Sequence, residues 1–63
     1  MEFMRFCYAD FLRSIEAGQT RPVPAKAKVT VLKARAAQMK SHGEGEWHIF
    51  VNKFGDYQIT RAL

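Results

Sequence analysis

His48, Tyr57 and Arg61, near the end of the chain, are residue types that can cleave RNA by acid–base chemistry, as in small ribonuclease toxins. Such cleavage needs a base, an acid and a cation that holds the phosphate, all converging in one pocket. A chain of 63 residues has little room to build that pocket. We therefore predict that the protein is not an enzyme.

His42, Glu44, Glu46 and His48 form a second group of interest, because their side chains are donors that bind zinc. The glycines between them make the segment flexible, and no other Cys or His stands at the paired spacing of structural metal sites. The sequence therefore predicts a solvated loop here, with no metal and no cofactor.

Cys7 is the only cysteine, which excludes an intrachain disulfide and favours a reducing compartment. Aromatic residues surround Cys7 in the sequence, so we expect its thiol to be buried. The apolar N-terminal stretch is interrupted by Glu2, Arg5 and Asp10, and it predicts neither a signal peptide nor a membrane span. The expected location is the cytoplasm, with no membrane partner.

The basic residues are unevenly distributed along the chain. The net charge is +4, and residues 17–43 contain six of the ten Lys and Arg residues but no Asp or Glu. A segment of one charge sign attracts polyanions, which makes nucleic acid the first predicted partner. The candidate nucleic-acid or partner-binding residues come from this segment and from the C-terminal region: Lys26, Lys28, Lys33, Arg35, Lys40, Lys53, Phe54 and Arg61.

The C-terminal stretch, residues 46–63, has the pattern of a β-hairpin, since two runs rich in β-branched and aromatic residues flank the turn signal KFGD. Alternation places Trp47 on one face and Phe50 on the other. A two-residue turn at Gly55 would pair Phe50 with Arg61, and a longer loop over residues 52–56 is the alternative. Phe54 at the tip could stack on bases or anchor a protein interface.

Two helices are predicted ahead of the hairpin. Helical spacing of apolar residues indicates a first helix over 3–17 that stops at Gly18; the alternative is a short strand over 2–6 and a helix from near Tyr8. Residues 19–24 contain two prolines and are predicted to be an extended connector. Strong helix formers indicate a second helix over 24–41, with a strand over 25–31 as the competing interpretation.

The second predicted helix has an apolar stripe and an opposite face of small residues. The stripe should face the hairpin and contains Ala25, Val29, Leu32, Ala36 and Met39. The opposite face contains Ala27, Thr30, Val31, Ala34, Ala37 and Gln38. Alanine is a good helix former at a surface, and a flat face between cations would also admit a second subunit, a protein partner or a phosphate backbone.

The predicted fold is a single α+β domain over residues 1–63, with two helices packed on a C-terminal antiparallel β-hairpin. Chains this small usually need a disulfide, a metal or a partner subunit for stability. Because the sequence shows neither of the first two, a homodimer or a tight partner is expected.

Four short segments carry a resemblance to a known family: IEAGQ at 15–19, VP at 23–24, AAQMK at 36–40 and GEW at 45–47. In this order and near this spacing they resemble a small phage anti-CRISPR protein family. The family is acidic and imitates nucleic acid, whereas this chain is basic and its hairpin extends beyond the family's end. The resemblance implies a phage or mobile-element origin and an inhibitor of a host complex, and no binding residue is transferred from it.

These observations favour a non-enzymatic basic binding module that engages nucleic acid, as a small phage or mobile-element regulator acting in the host cytoplasm. The alternative is a stoichiometric protein inhibitor, anti-CRISPR-like, that binds a host protein or nucleoprotein complex through the hairpin tip and the small-residue face.

Overall fold

A computed structural model describes residues 6–63. Its elements, in chain order, are α1 (Tyr8–Ser14), β1 (Thr20–Pro22), α2 (Val29–Ser41), β2 (Trp47–Val51) and β3 (Tyr57–Arg61). The strands form one antiparallel sheet in the order β1-β3-β2, so the predicted α+β class is confirmed. No helix within residues 6–63 has the length and apolar character needed to cross a membrane.

β1 is a strand that the sequence pattern did not predict, because its residues were interpreted as a connector. It pairs with β3 through Thr20–Thr60 and Pro22–Gln58. The amide of Val23 donates to the carbonyl of Tyr57 at 3.0 Å, and hydrogen-bonded positions alternate along an antiparallel ladder. The backbone nitrogen of Pro22 therefore faces away from β3, and its lack of an N–H removes no hydrogen bond from the sheet. An edge strand tolerates proline there.

The hairpin is confirmed, but its predicted two-residue turn is wrong and the longer loop over residues 52–56 is present. Val51 pairs with Tyr57, and Phe50 pairs with Gln58 rather than with Arg61. The side-chain oxygen of Asn52 accepts hydrogen bonds of 2.9 Å from the amides of Phe54 and Asp56. Gly55 takes a φ of 86° inside this loop. These local bonds favour the wider loop over a tight turn.

Both helices are shorter than predicted. α1 begins at Tyr8, as the alternative interpretation predicted, and ends at Ser14. The strand over 2–6 in that alternative lies mostly outside the described residues, and Phe6 is not in a strand. α2 begins at Val29 rather than at residue 24, because residues 24–27 form a turn that buries Ala27. The competing strand over 25–31 is also wrong.

The core lies between the helices and one face of the sheet. Leu12, Ile15, Leu32 and Ile59 are fully buried. The indole N–H of Trp47 donates to the carbonyl of Leu12 at 2.9 Å, which fixes β2 against α1. The opposite face of the sheet, which carries His48 and Phe50 as predicted, is not covered by any element among residues 6–63.

The predicted helix stripe is correct within α2 and wrong before it. Leu32, Ala36 and Met39 are buried and Val29 is half-buried, but Ala25 is exposed in the preceding turn. The expectation of a buried thiol is also wrong, since Cys7 is exposed.

Candidate nucleic-acid interface

Two contacts place the start of α2 and the hairpin loop at the same end of the molecule. The Val23–Tyr57 hydrogen bond holds the chain beside the loop end of β3, and that chain then leads through residues 24–28 into α2. The amide of Lys28 donates to the hydroxyl of Tyr8 at 3.0 Å, so α1 also begins at this end. The first turn of α2 and the loop over residues 52–56 therefore lie toward the same end of the molecule.

Exposed cations lie at this end of the molecule and continue along α2 as far as its middle. Five exposed cations form what we call the cationic surface: Lys26, Lys28, Lys33, Arg35 and Lys53. Within the part of the chain that the structure describes, none of them has a carboxylate within 4.0 Å. Lys33 and Arg35 lie on opposite flanks of α2 at 100° per residue. The exposed small-residue face of the helix lies between them.

The N-terminus of α2 adds partial positive charge to the cationic surface. Lys28 is the N-cap residue, it makes no side-chain cap hydrogen bond, and the first turn contains no acidic residue. Apart from any contact with residues 1–5, the first amides of the helix, beginning at Val29, have no acceptor. Free amides at a helix N-terminus bind anions such as phosphate.

The opposite end of the molecule contains acidic groups that are already paired. Arg13 donates two hydrogen bonds to the Glu44 carboxylate, at 3.1 and 3.0 Å. Glu46 lies 3.8 Å from Lys40 Nζ and 2.9 Å from His48 Nε2. Lys40 is therefore a member of an ion pair and lies away from the cationic surface. In residues 6–63, no three potential ligands are placed to hold a metal ion.

Arg61 has a structural position rather than an exposed one. Its guanidinium donates to the carbonyls of Ile15, Leu63 and Glu44 at 2.9, 2.7 and 3.1 Å. Its Cζ atom also lies 5.2 Å from the ring centroid of Trp47. These contacts engage the donors of a half-buried side chain within the chain itself, so we leave Arg61 out of the proposed interface.

His48, Tyr57 and Arg61 do not converge. His48 pairs with Thr60 and lies on the uncovered face of the sheet, whereas Arg61 pairs with Trp47 on the helix side. Tyr57 shares the face of Arg61 but lies at the other end of β3. No pocket is formed by residues 6–63.

Phe54 is the most exposed large apolar side chain of the hairpin, at 76% exposure. The ammonium of Lys53 lies 5.3 Å from its ring centroid. A neighbouring cation and an open ring face together suit contact with a phosphate and a base. The sequence predicted Phe54 at the hairpin tip with Lys53 and Arg61 beside it. Lys53 is adjacent to the ring, whereas Arg61 lies at the other end of β3.

The uncapped start of α2 is the feature that sequence reasoning missed. A lysine directly before Val29, with no Ser, Thr, Asp or Asn at the cap, was the available signal. It went unseen because the helix was predicted to begin at Pro24. Comparison with protein-family models, curated proteins and solved structures gives no match to this chain.

Proposed function

We propose that this protein is a non-enzymatic module that binds nucleic acid through its cationic surface. The observation that carries the proposal is that five exposed cations have no carboxylate within 4.0 Å among residues 6–63, although Asp56 also lies in the hairpin loop. The cations at the α2 and hairpin-loop end have no acidic partner, while Arg13 and Lys40 at the other end are paired. Unpaired, exposed cations on one surface are the usual electrostatic footprint of phosphate binding.

The geometry favours contacts with the phosphate backbone over direct reading of bases. The first turn of α2 presents free amides and Lys28 to one phosphate, and Lys26 lies in the preceding turn over residues 24–27. Lys53 presents a second point of contact from the hairpin loop. In this arrangement Phe54 lies against the groove or stacks on an unpaired base. Such contacts give affinity with little sequence preference.

A local conflict in the sequence supports a functional use of the α2 N-terminus. Lysines near a helix N-terminus oppose the helix dipole, and a lysine at the N-cap forgoes the stabilisation of a capping side chain. Sequences that break such local rules commonly do so at functional sites. The position of Lys28 fits this pattern, because a bound phosphate would attract both the Lys28 ammonium and the positive end of the helix dipole, and so offset the repulsion between them.

The resemblance to an anti-CRISPR family supports a setting in a phage or mobile element, where a small regulator would act on nucleic acid in the host cytoplasm. The second candidate function, a stoichiometric inhibitor of a host protein or nucleoprotein, is favoured by one observation: the exposure of Phe54 at the tip. Apolar anchors of that kind are typical of protein interfaces.

A gel-shift titration with a short DNA duplex and a matched single strand tests the proposal. The wild-type protein should shift at least one of the two at low salt. The double charge reversal Lys33→Glu with Arg35→Glu should abolish the shift, because it removes two contacts and adds repulsion. Lys40→Gln is the matched control, since Lys40 lies in an ion pair at the other end, and this variant should bind like the wild type. Absence of any shift by the wild type would contradict the proposal.

A further inference from the structure

One edge of the sheet is open. In the pairing of β2 with β3, the amide of Ala62 donates to Glu46, and the amide of Asn52 donates to Asp56. Hydrogen-bonded positions alternate along the ladder, so His48 and Phe50 are bonded to β3 while Ile49 and Val51 direct their N–H and C=O groups away from it. No other backbone or side-chain group among residues 6–63 bonds to these outward groups.

The two edges of the sheet differ in their protection. β1 is short, contains Pro22, and its proline occupies an outward position. β2 is five residues long, WHIFV, and has neither a proline nor a lysine. Phe50 and Val51 on it are 44% and 53% exposed. Natural proteins usually protect an exposed edge strand against pairing with another chain. Because β1 is protected and β2 is not, β2 is the edge at which strand pairing is expected.

We propose that β2 pairs antiparallel with β2 of a second copy of this chain. Two features favour a second copy as the occupant. The outward row of β2 is flanked by the exposed side chains of Phe50 and Val51, which symmetric antiparallel pairing brings against the other strand. A chain of 63 residues with one cysteine has no intrachain disulfide, and chains of this size usually gain stability from a partner subunit.

The pairing has a natural centre at Ile49. With Ile49 opposite Ile49 of the second copy, the outward groups of Ile49 and Val51 face an identical row, and each copy supplies both donors and acceptors. On the uncovered face, His48 then lies opposite Phe50 of the second copy. This cross-strand pair covers apolar surface that the single chain leaves exposed.

The assembly closes at two copies. The twofold axis of an antiparallel edge pairing is perpendicular to the sheet, so both sets of helices lie on the same face of a continuous six-stranded sheet. The remaining edges are the two β1 strands, whose proline prevents further addition. This inference does not depend on nucleic-acid binding, although the dimer would present two copies of the cationic surface.

Sedimentation and amide exchange, measured from about 10 µM to about 1 mM protein, test the dimer directly. We expect a monomer–dimer equilibrium, with the amides of Ile49 and Val51 exchanging fast when dilute and becoming at least about tenfold slower when concentrated. A monomer at every concentration, with no change at these two amides, overturns the proposal. Growth beyond a dimer also overturns it, because β1 would then not be protected.

Variants in the edge strand β2 distinguish strand pairing from nonspecific association. Val51→Pro removes an outward donor without removing a bond to β3, so dimerisation should be lost; Val51→Thr keeps the donor and should still dimerise. Equal dimerisation by both variants would contradict the proposal.

Discussion

The amide of Val23 donates a hydrogen bond of 3.0 Å to the carbonyl of Tyr57, which joins the end of β1 to the loop end of β3. Because residues 24–28 follow directly and lead into α2, this bond determines which end of the sheet receives the N-terminus of that helix. The consequence is electrostatic: Lys28 at the start of α2 and Lys53 in the hairpin loop lie at one end, away from the ion pairs of Glu44 and Glu46.

Lys28→Ser should stabilise the fold and weaken nucleic-acid binding at the same time. Serine at an N-cap accepts a hydrogen bond from a free amide of the first turn, which is worth about 0.5–2 kcal/mol. The same change removes one phosphate contact. Urea unfolding and a binding titration measure the two effects. Lys26→Ser is the control, since residue 26 does not cap α2; this variant should lose affinity without gaining stability. A Lys28→Ser protein that binds as well as wild type would contradict the assignment.

Asn52→Ala should lower the free energy of unfolding by about 1–2 kcal/mol, because its side-chain oxygen accepts from two loop amides. Asn52→Asp keeps an acceptor at the same position and should cost less. Thermal or urea unfolding of both variants provides the comparison. Equal destabilisation by the two changes would show that these hydrogen bonds do not hold the loop.

Arg61→Lys should destabilise the protein by about 1–3 kcal/mol although it preserves the charge. Lysine cannot reproduce the guanidinium that donates to three carbonyls and lies beside Trp47. Arg35→Lys is the matched control at an exposed position and should change stability by less than about 0.5 kcal/mol. Similar unfolding midpoints for the two variants would contradict a structural role of Arg61.

The hairpin and the buried part of α2 could be predicted from the sequence because both depend on local periodicity. Trp47 and Ile49 alternate with Glu46 and His48, and Leu32, Ala36 and Met39 recur at helical spacing. β1 could not be predicted in this way, since three residues carry no periodic signal and the strand exists only because β3 pairs with it. The start of α2 was misplaced for a similar reason: the hydrogen bond of Val23 to β3 and the burial of Ala27 are tertiary contacts.

The sequence predicted which parts of the chain contribute to the candidate site, but not which of the predicted residues belong to it. Charge along the chain identified the lysines of residues 17–43, and the hairpin pattern identified Lys53 and Phe54. The pattern could not show that Lys40 pairs with Glu46 or that the donors of Arg61 are engaged within the chain itself. Those outcomes depend on which ends of the elements meet, which a one-dimensional pattern does not contain.

Phe54→Ala separates the two candidate functions. If the protein binds the phosphate backbone of nucleic acid and the Phe54 ring stacks on a base, removal of the ring should weaken binding by about 1–3 kcal/mol. If the ring does not stack, binding should not change. For a protein partner, removal of a central anchor should cost about 2 kcal/mol or more and leave salt dependence weak. Binding of Phe54→Ala to single-stranded and duplex DNA, beside a pull-down from host lysate, gives the comparison. Leu63→Ala, at the opposite end of the molecule and 69% exposed, is the control for lost apolar area.

The most direct test of the central claim is the salt dependence of nucleic-acid binding by the wild-type protein. Each neutralised phosphate contributes about −0.9 to the slope of log K against log salt on duplex DNA, so the five cations of the cationic surface predict a slope of about −4.5. Lys26→Ala and Lys53→Ala should each reduce its magnitude by about 0.9, whereas Lys40→Gln should leave it unchanged. A slope near zero, or a slope reduced equally by Lys40→Gln, would contradict the account.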